Sequence, residues 1–332
     1  MLQCVIYMDD TKDLIVKTYA ETNPNFGCTP DHRPLEQRFD AGLIILDKPA
    51  GPTSHEVARR VKTLFQGTSV IKVGHGGTLD PNATGVPPLA LNQATLLQDI
   101  ILSGRKEYIG TIHLHALVPA SIVKQTLKKF QGQIHQRPPS RSAVKRVLRV
   151  REIDFITVLE IEEKDVRFKV GCEAGTYIRT LAVAMGEALG CGAHLTALRR
   201  TRSGCFSEEQ GIATIESLGE SLLKWRDNGD PSSLTAIIQP IESIFTQFKK
   251  VIVKDEAIYY ICGGNPVQAG DIAKLERTIR RGDQVGIFSL KGEIIARGTC
   301  LGDAARMIKA IGGDLVKTGK VYMYSDIYPK FQ

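Results

Sequence analysis

Residues 151–175, REIDFITVLEIEEKDVRFKVGCEAG, restrict the fold of this chain more than any other stretch. Ile153, Phe155, Leu159 and Ile161 alternate with polar residues, a charged turn follows, and Val166, Phe168, Val170 and Cys172 alternate again. Period-two alternation on both sides of a turn makes an antiparallel hairpin with one apolar face, and that face needs a cover. The next segment supplies one: TYIRTLAVAMGEALG reads as a helix with Ile178, Leu181, Met185 and Leu189 along one side. Upstream, GLIILDKP reads as a short apolar strand. PTSHEVARRVKTLF follows as a helix, with Thr53 and Glu56 as its capping box and Val57, Val61, Leu64 and Phe65 as its stripe. ATLLQDIILSG and SIVKQTLKKFQG read as helices closing at Gly104 and Gly132, and EYIGTIHLHALV as a strand with Tyr108, Gly110, Ile112 and Leu114 on one face. Strands and helices mix without a βαβ repeat, so the expected class is α+β with mainly antiparallel sheet.

The 332 residues, 42% of them hydrophobic, can fill two cores. Residues 1–40, punctuated by Pro24, Pro30 and Pro34, read as an arm lying on something larger. Residues 41–248 form the main domain, and 249–332 a compact β-rich domain of close glycines and short strand-like runs that begins KKVIVKDEAIYYICGG. Lys and Arg number 43 against 36 Asp and Glu, a net charge of +7 that suits a polyanionic partner. The seven cysteines are scattered, with no Cys-x-x-Cys pair, which speaks against a zinc ribbon or a disulfide framework and for a reducing cytoplasm. His113 and His115 share one face of a strand but bring no further ligand, so no metal is expected. The acidic start MLQCVIYMDD is no signal peptide, and no apolar run reaches membrane-spanning length.

GHGGTLDPNATG, residues 74–85, sets one acidic residue, Asp80, among glycines and small residues. Asp-Pro pairs commonly start turns. A phosphate loop is excluded because no Gly-Lys-Ser/Thr follows, and the spacing of Gly74, Gly76 and Gly77 does not fit a dinucleotide loop. Two basic runs stand out. One holds Arg137, Arg141, Lys145, Arg146, Arg149 and Arg151, the other Arg199, Arg200 and Arg202; neither is interleaved with acids, which favours phosphate contact.

Four collinear segments, LDKPAGPTSHEV, GHGGTLDPNATGVPPLAL, KEY and GTYIRTLAVAMGEALGCGAHLTALRRTRSG, resemble the TruB family of RNA pseudouridine synthases. RPLEQRFDAG and QRPPSRSAVKRVLRVREI narrow the resemblance to the archaeal and eukaryotic dyskerin branch, the catalytic subunits of box H/ACA ribonucleoproteins, and the C-terminal segment through RRGDQVGIFSLKGEIIARG to DIYPKFQ resembles a PUA domain. Without the long basic tails of the eukaryotic proteins, the chain matches the archaeal form better. The resemblance implies isomerisation of uridine to pseudouridine without a cofactor. Asp80 would be the catalytic carboxylate, as nucleophile or as base; Arg179 would pair with and aim it; Tyr108 would stack on the target base. His75 would meet the flipped-out nucleotide, Leu198 would line the pocket, and Lys48 and Pro49 would buttress the active-site loop. RNA phosphates are expected on Arg141, Lys145, Arg146, Arg199, Arg200 and Arg202, and a guide RNA on the PUA-like segment GGNPVQAGDIAK, where Gly264 and Lys274 are candidates.

The implied partners are box H/ACA guide RNA, an rRNA or tRNA substrate and small accessory proteins, with the chain a monomer inside the particle and no membrane involved. A stand-alone synthase acting on the tRNA TΨC loop, and a non-catalytic guide-RNA scaffold, are the competing readings. Retention of Asp80, Tyr108 and Arg179 speaks against the scaffold. The chain departs from the family pattern at Pro87, Asn92, Leu96, Ala116, Leu117 and Ala269.

Overall fold

The computed structural model describes residues 13–138 and 145–331. The chain divides into two compact units, one of residues 38–239 and one combining the stretch before Arg38 with the stretch from Pro240 onward.

In the first unit the 151–175 hairpin is the strands Arg149–Glu162 and Asp165–Cys172, with Ile156 opposite Val170 and Ile161 opposite Val166. Lys106–Leu114 adds on one side, followed by Ala193–Ser203 and the short Phe206–Ser207; Gly132–Gln136 adds on the other. The pairings among these strands are antiparallel, and the expected α+β class holds. Strand Lys106–Leu114 buries every second residue, and its buried row meets the helix Ile178–Ala188 through Ile112, Leu114, Ile178, Leu181 and Met185. A smaller antiparallel sheet pairs Gly42–Ile45 and Val73–His75 with the two sides of Pro88–Leu91, and helix Ser54–Leu64 begins with the expected Thr53–Glu56 capping box.

Two elements differ from the sequence expectation. The helix Ala120–Lys128 ends early, and Gly132, at φ +99, begins an extra strand instead of capping the helix. ATLLQDIILSG, read as one helix, begins inside a 3-10 helix, Asn92–Leu97, and only Gln98–Ser103 is α-helical. The departures at Asn92 and Pro87 have local explanations. Asn92 sits at φ 39, a conformation glycine or asparagine adopts readily, and its carboxamide accepts from the Ile71 and Lys72 amides, each at 2.9 Å, and donates to Ser69 O at 2.9 Å. Pro87 immediately precedes the strand Pro88–Leu91, where a missing amide is tolerated. Ala116 and Leu117 are exposed.

The second unit is built on a seven-stranded sheet in the order Leu14–Val16, Ile272–Glu276, Lys249–Val253, Gln284–Phe288, Ile294–Cys300, Asp314–Val321, Val267–Gln268. The arm's strand therefore completes a sheet edge, with Leu14 opposite Glu276. Residues after Pro240 side with this unit because Phe245 packs on Phe248, Phe288 and Tyr322 at ring separations of 5.3, 6.2 and 5.4 Å. Buried Glu293 accepts from the Cys28 amide at 3.1 Å and from the Tyr328 hydroxyl at 2.7 Å, tying the arm to the chain's end. DEAIYYIC, read as strand-like, is a helix, Asp255–Cys262. Buried Ala269 donates its amide to Gly313 O at 3.0 Å, a bond a proline could not make.

Candidate active site

Asp80 lies on the stretch between the strands Val73–His75 and Thr84–Gly85, and buried groups grip this loop from two directions. The Leu79 amide donates to Ser54 Oγ at 2.9 Å, at the start of helix Ser54–Leu64. The Gly51 amide donates to Pro81 O at 2.9 Å. Lys48 is fully buried, and its ammonium donates to the carbonyls of Pro49, Pro81 and Ala83 at 2.9, 2.8 and 2.7 Å. On the other side Arg200, 1% exposed, donates from Nε to Val86 O at 2.7 Å and from Nη2 to Gly77 O at 3.3 Å. Strand Thr84–Gly85 runs parallel to Ala193–Ser203, and Gly85, at φ +100, lies so close that any Cβ there would collide with the Arg200 backbone.

Arg179, second residue of helix Ile178–Ala188, meets Asp80 as a fork. Nε stands 2.7 Å from Oδ2 and Nη2 stands 2.9 Å from Oδ1. A two-point guanidinium–carboxylate pair fixes direction as well as distance. Both side chains remain partly open to solvent, at 41% and 44% exposure, so the carboxylate is aimed yet reachable. Burial pulls the Lys48 ammonium below its ordinary pKa, the nearby Asp80 charge opposes that, and Arg200 adds to it. The result is a carboxylate at the surface of a loop held by two buried cations, able to act on a substrate carbon or proton.

Tyr108 and Arg200 stand directly opposite each other on neighbouring strands, near enough for the guanidinium charge to act on the hydroxyl. Tyr108 is 8% exposed, and burial pushes its hydroxyl pKa up against the opposing Arg200 charge. Leu198 pairs with Gly110 two residues along and packs half-buried on the same core. His75 ends its strand opposite Leu89; burial, then the charges of His55 and Arg200, lower its pKa and keep the ring neutral at pH 7, and its Nδ1 is buried without a hydrogen-bond partner.

The second basic run needs correction. Arg200 cannot reach a phosphate: its guanidinium is buried and spent on loop carbonyls. Arg199 pairs with Asp47 at 3.0 Å and Glu208 at 2.7 Å, and Arg202 with Glu107 at 3.2 Å. The acids absent from the run come from elsewhere in the fold. In the first run Lys145 and Arg146 are exposed, while Arg141 lies outside the described residues. In the second unit Gly264, at φ +88, is exposed just past helix Asp255–Cys262, and Lys274 is half-buried in its strand between Val16 and Ile252.

Among the described residues no three His, Cys, Asp or Glu side chains are grouped to hold a metal, and no helix is long and apolar enough to cross a membrane. Sequence reasoning missed the loop-holding role of Arg200 and the part played by Ser54. The Thr53–Glu56 capping box pointed at the start of that helix, but nothing local told which loop would land there.

A carboxylate aimed by a guanidinium on a firmly held loop can meet charge that develops on a bound substrate. The chain belongs to the TruB family of pseudouridine synthases. Family models match in sequence along it: the DKCLD domain at residues 3–58, the TruB family pseudouridylate synthase N-terminal domain at 62–121 and 117–178, the tRNA pseudouridylate synthase B C-terminal domain at 179–246, and the PUA domain at 249–322. A probable tRNA pseudouridine synthase B of Methanopyrus kandleri is 44% identical over 97% of this chain and 94% of its own length. One of Pyrococcus furiosus is 44% identical over 98% and 95%. A solved Cbf5–Nop10–Gar1 complex contains a chain 44% identical, with TM-score 0.87 over 97% of this chain and 98% of that one. An H/ACA RNP bound to a substrate RNA containing 2′-deoxyuridine contains one 42% identical, with TM-score 0.88 over 96% of each.

Proposed function

We propose that this synthase isomerises uridines of rRNA or tRNA as the catalytic subunit of a guide-RNA-directed H/ACA particle, with Asp80 as the catalytic carboxylate. The observation that carries the reading is the Arg179–Asp80 fork on a loop gripped from beneath by Lys48 and Arg200. Asp80 meets charge developing at the sugar as the glycosidic bond breaks; Tyr108 offers its ring to the base, with Leu198 and His75 beside the nucleotide turned out of its stack. Exposed Lys145 and Arg146, with Gly264 and Lys274 in the PUA domain, contact RNA. Full-length likeness to the protein chains of H/ACA complexes supports guide RNA and small accessory proteins as partners. The proposed particle is cytoplasmic and holds one copy of this chain. No cofactor enters the reaction.

The second reading, a stand-alone tRNA synthase, is favoured by the names of the curated relatives. Pseudouridine formation is measured with wild type and Asp80→Asn on a guide RNA paired to its target and on a bare tRNA transcript. Product in the guided reaction alone, lost in the variant with RNA affinity unchanged, is the expected result. Equal product on bare tRNA overturns guidance, and an active Asp80→Asn enzyme overturns the assignment of the carboxylate.

A further inference from the structure

Helix Ile178–Ala188 places Arg179 in its first turn, where direction is most easily lost, and its N-cap residue Tyr177 makes no capping bond through its own side chain. Another residue, 41 positions upstream, holds that helix start. Gln136, 5% exposed at the end of strand Gly132–Gln136, donates from Nε2 to Tyr177 O at 3.2 Å and accepts from the Tyr177 amide at 3.0 Å. A planar carboxamide that both donates to and accepts from one residue's backbone ties down the two peptide groups on either side of that residue.

A second tether holds the same segment a turn earlier. Arg151, on the strand paired with Gly132–Gln136, donates to Glu173 Oε1 at 3.0 Å. Glu173 also accepts from the Glu152 amide at 3.2 Å and donates its own amide to Glu152 O at 2.8 Å. Between these tethers Gly175, at φ +80, lies close against the Arg151 guanidinium. Residues 173–177 are therefore bolted at both ends to one strand pair, and Arg179 is the second residue beyond them.

We propose that Gln136 is a positioning residue for pseudouridine formation: clamped on the Tyr177 backbone, it sets the direction from which Arg179 presents its fork to Asp80. The proposal rests on the reading of Asp80 and Arg179 as the working pair. It also gives the strand pair a second task. The chain leaving Gln136 begins with Arg137, and the chain entering Arg149–Glu162 carries exposed Lys145 and Arg146, so the strands that bring basic residues toward RNA also frame the active-site arginine.

The test measures single-turnover pseudouridine formation and RNA affinity for the full chain in its RNA-bound assembly. Gln136→Ala removes the clamp, Gln136→Glu keeps an acceptor for the Tyr177 amide but loses the donor, and each is made in the wild type and in Arg179→Lys, which keeps a cation without the planar fork. Gln136→Ala is expected to lower the rate on the order of 10- to 100-fold, the scale for a misplaced reacting group. RNA affinity should stay within about twofold, Gln136→Glu should recover part of the rate, and in Arg179→Lys the cost of Gln136→Ala should shrink to less than about threefold. An undiminished cost in Arg179→Lys, or a loss of affinity that tracks the loss of rate, overturns the proposal. If Arg179→Lys and Asp80→Asn both keep full activity, the pair itself is misassigned; if they are impaired while Gln136→Ala is fully active, only the positioning role falls. Gln136→Glu keeps the test readable should Gln136→Ala fail to fold.

Discussion

Replacing Lys48 by methionine keeps an unbranched side chain one atom shorter and removes its charge and its three hydrogen bonds. The Pro81 carbonyl would keep the Gly51 amide as a partner, whereas the Pro49 and Ala83 carbonyls would lose the ammonium. An unpaired buried acceptor costs about 1–3 kcal/mol, and relief from burying an ammonium offsets part of that sum. The expected net loss is about 3 kcal/mol. With a urea slope of about 2 kcal/mol per molar, the unfolding midpoint falls by about 1.5 M. The protein supplies its own probe: Trp225, its single tryptophan, lies in the unit of residues 38–239 and packs edge-on to Phe39 at 5.3 Å, so its fluorescence follows that unit. Below the transition, where the variant is folded, the rate should still drop on the order of 10- to 100-fold, because the loop carrying Asp80 has lost one of its two grips. An unchanged midpoint would refute the energetic argument. A lowered midpoint with an unchanged rate would show that Lys48 stabilises the fold without aiming the carboxylate.

Arg200→Met should cost about 2–4 kcal/mol of stability, since it strands the carbonyls of Val86 and Gly77, and should leave the salt dependence of RNA binding unchanged; Lys145→Ala with Arg146→Ala should reverse this pattern, sparing stability and flattening the slope of log affinity against log salt by about 1.5. Titration of Lys106 gives a pH test. Burial lowers this ammonium from 10.5 to about 8 while it donates to Ile101 O and Gly104 O, so between those values the unfolded chain holds the extra proton and stability rises with pH. Trp225-monitored unfolding should show a gain of roughly 0.5–1 kcal/mol from pH 8 to 9, absent in Lys106→Met. From about pH 9 upward, inside the upper part of that window and beyond it, buried Cys172, pushed up to about 12, opposes the trend as its unfolded-state thiol ionises.

The main sheet was legible because its residues alternate: Val166, Phe168, Val170 and Cys172 appear in sequence as they appear in space, one buried row of one strand. The extra strand Gly132–Gln136 was not, since five residues with His135 and two glutamines offer no apolar alternation, and pairing with Arg149–Glu162 rather than local propensity makes them a strand. IYYI misled in the other direction. Its aromatic and β-branched residues suit a strand, yet Asp255 and Glu256 in the first turn and the burial of Ala257, Ile258 and Ile261 on one face make it a helix. At the site, Asp80 and Arg179 stand 99 residues apart, and no local pattern joins them; the long motifs of family resemblance did. The misreading of Arg200 has the same root, because the loop carbonyls that engage it come from another part of the chain, as do the acids Asp47 and Glu208 that pair with Arg199.

The three cations around Asp80 are not interchangeable, and their chemistry explains why each is where it is. Arg179 must address a carboxylate from a defined direction while both groups stay reachable, which a planar two-donor fork does and an ammonium does not. Lys48 must satisfy carbonyls that converge on one point, the geometry of a rotating ammonium. Arg200 must reach Gly77 and Val86, on opposite sides of Asp80, while also meeting Tyr108 across the strand pair, and only a flat group with spread donors can span the three. The last arrangement has a mechanical result. The ring assigned to the base and the carboxylate assigned to the sugar are referenced to one buried side chain, so a shift between the strands Lys106–Leu114 and Ala193–Ser203 displaces both. A nucleotide whose base must detach, turn and rejoin needs those two surfaces fixed relative to each other throughout, and Arg200 provides that connection where sequence placed an RNA contact.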